Sequence, residues 1–222
     1  MRPTVVMRAA ELSYPTPEGE LPVLRGIDIE VRHGEILAVM GPSGSGKSSI
    51  IALIGGLEKP TGGEVIVLGH DLRDSTDSEL TALRRNDIGI VFQSYHLIPA
   101  MTALQNAALP LILAGDADAQ DRAGEMLRRV GLGHRLTHRP ASLSGGEQQR
   151  VAVARAFVSS PRLILADEPT GNLDQSTGGE VAQVMFKLVR DTGAALLIVT
   201  HDRGLAALCD RTVEIDAGRI AA

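Results

Sequence analysis

The sequence predicts an α/β fold: a mostly parallel sheet, antiparallel strands near the N-terminus, and an inserted helical subdomain. Three observations carry this. Apolar residues make up 44% of the 222 while aromatics supply only 2%, so the core is built from Val, Ile, Leu and Ala, as in sheets buried on both faces. Short apolar runs alternate with helix-patterned segments before Ser94 and again after Ser160. Between those points helical patterns dominate, as an insertion into an α/β core would.

Taken in order, Ile27 to Val31 and Glu35 to Met40 read as β, with His33-Gly34 as the turn between them. The run Ile36-Leu37-Ala38-Val39-Met40 has no polar alternation and reads as a buried strand. A Gly-rich loop follows, then a helix from Lys47 to Ile54 that Gly55-Gly56 stops. Val65 to Leu68 and Ile88 to Phe92 are further strands. Helices are expected over Ala103 to Leu109, Ala119 to Val130 and Gly145 to Val158. Alternation then returns: strand Leu163 to Ala166, helix Gly178 to Arg190, strand Ala194 to Val199, helix Arg203 to Leu208. Arg211 to Ile215 and Arg219 to Ala221 close as a hairpin around Asp216-Ala217-Gly218. The expected domain organisation is a core of residues 1–93 and 161–222 with an inserted helical subdomain at 94–160.

Composition narrows the function. The net charge is −5, from 22 basic and 27 acidic residues, and no Lys/Arg run stands out. A nucleic-acid binder would more often present a basic face. Cys209 is the only cysteine, so no internal disulfide or cysteine zinc site can form, and its plain role is a small buried apolar residue. Met1 to Ala10 has no apolar segment of a signal peptide. The longest apolar stretch, Leu97 to Ala114, is broken by Pro99, Gln105, Asn106 and Pro110, so any membrane part is expected from a partner.

Gly41-Pro42-Ser43-Gly44-Ser45-Gly46-Lys47-Ser48 matches the phosphate-binding P-loop pattern in full. The glycines allow a tight turn whose N–H groups converge on phosphate oxygens. The following helix points its positive end at the same anion. Lys47 reaches the β- and γ-phosphates, and Ser48 offers a hydroxyl to Mg²⁺. Leu163-Ile164-Leu165-Ala166 delivers Asp167-Glu168 to the C-terminal edge of a buried strand, where such sheets bind ligands. Successive strand residues diverge in direction, so Asp167 is expected to serve Mg²⁺ through water and Glu168 to act as general base. His201 and Gln93 also follow strands. His201 is a candidate for positioning water and γ-phosphate, and Gln93 for touching Mg²⁺ or the water through its carbonyl oxygen. The plain readings are a structural histidine and an ordinary loop amide.

Leu143-Ser144-Gly145-Gly146-Glu147-Gln148-Gln149-Arg150 holds a second device. Ser144 reads as an N-cap with Glu147 as the other half of a capping box. Its Gly-Gly pair makes a second anion site at a helix N-terminus; the plain alternative is a well-capped helix and nothing more.

With these motifs in this order, and with Asn172-Leu173-Asp174 just after the acid pair, the sequence resembles the ABC ATPase family over essentially the whole chain. The resemblance implies the ABC ATPase fold on a P-loop NTPase core, and ATP binding by Tyr14, Gly41–Ser48 and Ser49, with Tyr14 stacking on adenine. It implies that two copies pair head to tail, with Ser144, Gly145, Gly146, Glu147 and Asp174 of one copy completing the ATP site of the other. Glu147 departs from the family's commonest signature, which has Gln there, and is expected to weaken the γ-phosphate contact through like charge.

Phe92–Pro99, Leu143–Arg150 and Ala166–Asp174 are similar to the bacterial branch serving lipoprotein release and macrolide export (LolD/MacB-like). The likeness is strongest to stand-alone ATPases of the YbbA type, whose permease is a separate chain. That implies an ATPase working on the inner face of the cell membrane through an integral-membrane permease, with Tyr95, Leu97, Ile98, Met101 and Leu104 as candidate permease contacts, and no nucleic acid as partner. The rival classes are a soluble ABC ATPase acting on nucleic acid or ribosomes, a P-loop kinase or GTPase, and a non-enzymatic ATP-gated clamp. The insertion is too short for the coiled coil of DNA-repair members, the signature has no role in kinases, and a clamp needs no base at Glu168.

Overall fold

The computed structural model describes residues 3–17 and 19–221, and Met1 and Arg2 of the expected leaderless N-terminus, Glu18 and Ala222 lie outside the described residues. The chain forms two compact units, one of Met1–Arg84 with Ala195–Ala222, the other of Arg85–Ala194. The elements run β1 (Val5–Thr16), β2 (Gly19–Val31), β3 (Ile36–Met40), α1 (Lys47–Ile54), β4 (Gly62–Val67), β5 (His70–Asp71) and α2 (Asp77–Asn86). Then come β6 (Ile88–Phe92), α3 (Ala103–Leu113), α4 (Ala119–Arg129), α5 (Gly145–Phe157), β7 (Leu163–Asp167) and α6 (Gln175–Thr192). The chain returns to the first unit with β8 (Ala195–Val199), α7 (Arg203–Ala206), β9 (Arg211–Asp216) and β10 (Arg219–Ile220).

The first unit holds an antiparallel sheet in the order β2-β1-β4-β5. Its long strands follow a period of two, with Val5, Met7, Ala10 and Leu12 buried. A register shift between Met7 and Ala10 interrupts that period. Ala9 there adopts a left-handed φ of 43° and its N–H donates to Asp28 Oδ1 at 2.9 Å, the signature of a bulge. The same unit places β3 between β8 and β9, parallel to both, with Val39 opposite Val199 on one side and Val213 on the other. Ile36 to Val39 and all of β8 are buried, which is why neither run alternates. The expected terminal hairpin is present: β10 pairs antiparallel with β9.

The second unit contains the parallel pair β6–β7, in register from Ile88↔Leu163 to Phe92↔Asp167. Helix α5 approaches β6 closely, since a Cβ on Gly89 would stand 2.2 Å from the carbonyl oxygen of Ala156. Two helices run past their expected ends. Helix α3 continues through Pro110 to Leu113, because an internal proline removes one donor while the Ala114 N–H still closes on Pro110 O at 3.1 Å. Helix α6 begins at Gln175, because Asp174 caps it. Helix α7 is shorter than expected and ends at Ala206. The patterning did not indicate α2, where only Leu80 and Leu83 are buried, although Thr76 and Glu79 form a capping pair: Glu79 Oε2 accepts the Thr76 N–H at 2.7 Å and Thr76 Oγ1 accepts the Glu79 N–H at 3.3 Å.

Candidate functional site

In the first unit, buried β3 ends at Met40 and the chain turns through residues 41–46 into α1. Gly44 and Gly46 take left-handed φ values of 80° and 101°, which side chains with a Cβ rarely adopt. Gly46 also has no room for one: a Cβ would lie 2.8 Å from Leu24 Cδ2 and 3.2 Å from Val23 O. At the other end of the loop a Cβ on Gly41 would meet Ile215 O at 2.1 Å. The β9–β10 turn braces the loop, with the Gly218 N–H donating to Ser45 O at 3.1 Å and the Arg25 N–H to Gly218 O at 2.8 Å. The Lys47 ammonium folds over this frame, donating to Gly41 O at 2.9 Å and Pro42 O at 2.7 Å. Ser45 Oγ is buried with no hydrogen-bond partner among the described residues, a polar atom that a phosphate oxygen would satisfy. Ser48 is exposed, and Ser49 half-buried, at the start of α1.

His201 leaves β8 at the same edge: β8 is parallel to β3, and the Thr200 N–H donates to Val39 O at 3.1 Å. The imidazole is exposed, while Asp202 beside it caps α7. Tyr14 lies half-buried on β1 opposite Leu21. Burial first, and the Glu58 carboxylate second, push its phenol above the ordinary value, so it presents a neutral ring.

In the second unit, Phe92 and Asp167 are the last paired residues of β6 and β7, so Gln93 and Glu168 follow side by side at one sheet edge. Glu168 takes a left-handed φ of 45°, which turns the chain sharply away from the line of β7. Gln93 is held by Asn172, a residue of the segment that follows the acid pair, to which the sequence assigns no such role. Asn172 Nδ2 donates to the Gln93 backbone oxygen at 3.0 Å, and Gln93 Nε2 donates to Asn172 Oδ1 at 3.2 Å. The first bond orients the Asn172 amide and the second the Gln93 amide, and the pair uses the Nε2 of Gln93 rather than its Oε1. Gln149, part of the 143–150 segment but given no role of its own by the sequence, is fully buried; its Nε2 donates to Pro169 O at 2.6 Å and reaches Phe92 O at 3.4 Å. One amide of α5 thus anchors the turn after Glu168 and the end of β6. The only signal in the sequence is a polar Gln within a helix pattern; its burial is a result of the fold.

The capping box read from the sequence is present in both halves. Ser144 Oγ accepts the Glu147 N–H at 3.2 Å and Glu147 Oε2 accepts the Ser144 N–H at 2.8 Å. These bonds use the N–H groups of Ser144 and Glu147, and leave those of Gly145 and Gly146 without a hydrogen bond among the described residues. Gly146 packs against α6, where a Cβ would stand 2.4 Å from Thr177 Cγ2, and Gly145 faces the Tyr95 hydroxyl and Leu173. Asp174 caps α6: its Oδ1 accepts from the Ser176 N–H and Thr177 N–H, both at 3.1 Å, and from Ser176 Oγ at 2.5 Å. These donors hold its carboxyl well below the usual carboxylate range. The first unit therefore carries Tyr14, residues 41–49 and His201, and the second carries Gln93, Ser144–Glu147, Asp167, Glu168 and Asp174.

A strand–glycine loop–helix phosphate cradle on a parallel sheet defines a P-loop nucleotide-binding protein of the α/β class. The ABC transporter family model matches residues 24–171, and the chain belongs to that family as an ATP-binding, ATP-hydrolysing cassette. It is 46% identical over 220 residues to "Lipoprotein-releasing system ATP-binding protein LolD 2" of Caulobacter vibrioides, covering 98% of this chain and 96% of that protein. It is 50% identical over 214 residues to the LolD of Maricaulis maris, covering 96% and 93%. Its fold superposes on the dimeric bacterial ABC transporter cassette MJ0796 with a TM-score of 0.90 at 39% identity, covering 98% of this chain and 97% of the other. The same values hold for a dimeric post-hydrolysis state of that cassette bound to ADP and Pi.

Proposed function

We propose that this chain is the ATPase of a lipoprotein-release or related export machine, in which two copies close head to tail on ATP and drive a separate membrane permease. The observation that carries the shared site is the second helix N-terminus. Its capping box occupies the flanking N–H groups and leaves those of Gly145 and Gly146 for an anion, in a chain that already has a complete P-loop. The known relatives support the rest: the curated ones are named as lipoprotein-releasing, and the solved cassette is described as a dimer.

In this reading, residues 1–93 with 161–222 form the nucleotide-binding core and residues 94–160 the helical subdomain. Tyr14 stacks on adenine. The amides of Gly41–Ser48, with Ser49, surround the phosphates, and the Lys47 ammonium moves from its two loop carbonyls to the β- and γ-phosphates. Ser48, Gln93 and Asp167 offer neutral and anionic oxygens, a donor set that suits Mg²⁺; the ion would offset phosphate charge. Glu168 takes a proton from water as its oxygen bonds to the γ-phosphorus and the bond from that phosphorus to the ADP oxygen breaks. His201 positions that water and the γ-phosphate. Ser144, Gly145, Gly146, Glu147 and Asp174 of the second copy complete the site.

Among the described residues no helix is long and apolar enough to cross a membrane; this reading assigns the membrane part to a separate permease, with the chain peripheral on the inner face of the cell membrane. The turn after Gln93 is the candidate docking segment. Ile98 is exposed there, and Tyr95, Leu97, Met101 and Leu104 are half-buried. The rival reading, a soluble ATPase on nucleic acid or ribosomes, has no comparable support.

The decisive variant is Glu168→Gln. It should keep ATP affinity, lose about 10²–10⁴-fold in turnover, and form an ATP-dependent dimer visible by light scattering. Full hydrolysis in this variant would remove the base assignment. A monomer at saturating ATP would remove the shared site.

A further inference from the structure

Glu147 puts a carboxylate in the first turn of α5, at the helix end that the proposed function assigns to a triphosphate. Its charge is not left bare. While Oε2 accepts the Ser144 N–H, Oε1 accepts from Arg135 Nε at 2.8 Å. Only 14% of the Glu147 side chain and 35% of the Arg135 side chain are exposed, so this pair is less screened by solvent than an ordinary surface ion pair. Arg135 is itself fixed. Its Nη1 lies 3.2 Å from His138 Nε2. Its own backbone N–H donates to Leu132 O at 2.9 Å, and the stretch of chain that follows is tied to the start of α3 by the Leu104 N–H on Leu136 O at 3.0 Å and the Ala103 N–H on His138 O at 2.8 Å. The guanidinium is therefore presented from an anchored loop and needs little further ordering to meet the carboxylate.

A glutamine at this position could satisfy the Ser144 N–H equally well without a charge. Glutamate pairs better with the positive helix end, but it opposes an incoming phosphate unless a cation neutralises it. Hydrogen bonding from Ser144, opposed by burial and aided by Arg135, keeps the carboxyl below its ordinary value, so it is an anion when nucleotide arrives. We propose that Arg135 is a positioning residue for the signature site: it draws the Glu147 carboxylate back from the Gly145–Gly146 amides and cancels its charge, so that these amides can accept the ATP of the second copy. This rests on the shared-site reading above. It addresses the like-charge effect that the sequence leads one to expect of Glu147.

The test uses the full chain in the hydrolysis-blocked Glu168→Gln background and reads the ATP concentration for half-dimerisation by light scattering. Arg135→Ala should raise it by about tenfold or more, because an unpaired like charge faces the phosphate at both sites of the dimer. Arg135→Lys, which keeps the charge, should retain most of the affinity and covers the case of a poorly folding alanine variant. The discriminating arm is Glu147→Gln. In a chain carrying that change, Arg135→Ala should shift half-dimerisation by less than about twofold, because no charge remains to cancel. Added salt should narrow the gap between Arg135→Ala and its parent. An Arg135→Ala protein that dimerises like its parent overturns the proposal. So does an equal loss with and without the Glu147→Gln change, which would mark Arg135 as merely structural. A Glu168→Gln parent that stays monomeric removes the shared site, and this inference with it.

Discussion

Replacing Gly146 with alanine tests how tightly α5 and α6 are fitted at the signature turn. The new Cβ would stand 2.4 Å from Thr177 Cγ2. Carbon pairs settle at about 3.5–4.0 Å, so about 1 Å of movement must be found in the first turn of α5 or in Thr177. Thr177 has little room to yield. It is β-branched within a helix, and its N–H is held by Asp174 Oδ1 at 3.1 Å. Overpacking of this kind costs about 1–3 kcal/mol. Alanine recovers at most about 0.8–1.0 kcal/mol over glycine through helix propensity, and less in a first turn. The expected balance is a loss of about 1–2 kcal/mol, or about 2–8 °C in Tm for a chain of this size. Thr177→Ser deletes the clashing methyl and keeps the hydroxyl, so the double variant should recover most of the loss, with a coupling of about 1 kcal/mol. Thermal and urea unfolding measure this directly. In the Glu168→Gln background, Gly146→Ala should also raise the ATP needed for dimerisation, because moving the first turn displaces the Gly145 and Gly146 amides. A wild-type Tm in Gly146→Ala, or no relief from Thr177→Ser, would refute the packing argument.

Two further changes probe the cradle and its support. Lys47→Ala removes the ammonium that donates to Gly41 O and Pro42 O and should weaken ATP binding by about tenfold or more, the scale of losing one charge-assisted hydrogen bond; unchanged affinity in a direct titration would count against the P-loop assignment. Gln149→Ala takes from the Pro169 carbonyl the donor that Gln149 Nε2 supplies and should lower stability by about 1–3 kcal/mol, with turnover falling as the turns that carry Glu168 and Gln93 lose their shared anchor. An alanine variant with wild-type stability and turnover would show that this amide anchors neither turn.

Local chemistry made much of the site legible. The helix that begins at Lys47 and ends at Ile54 could be placed to the residue, because an apolar strand, a glycine loop and a helix stop are all local signals. The Ser144–Glu147 capping box is equally local, and both halves formed as the spacing required. The long N-terminal strand β1 was less legible as an element, because its bulge at Ala9 breaks the two-residue period. Helix α2 was invisible to a hydrophobic pattern because it buries only two leucines.

The phosphate loop, the acid pair at a strand end and the capped glycine pair needed nothing beyond the sequence, since each is a short run whose backbone geometry follows from its own residues. Which side chains orient them was settled by folding alone. Asn172 meets Gln93 across 79 positions of sequence, and Gln149 meets Pro169 across 20; Arg135 meets Glu147 across 12, from a loop outside α5. No periodicity encodes such pairs, because they arise when strands and helices pack side by side and bring polar groups together that must then satisfy one another.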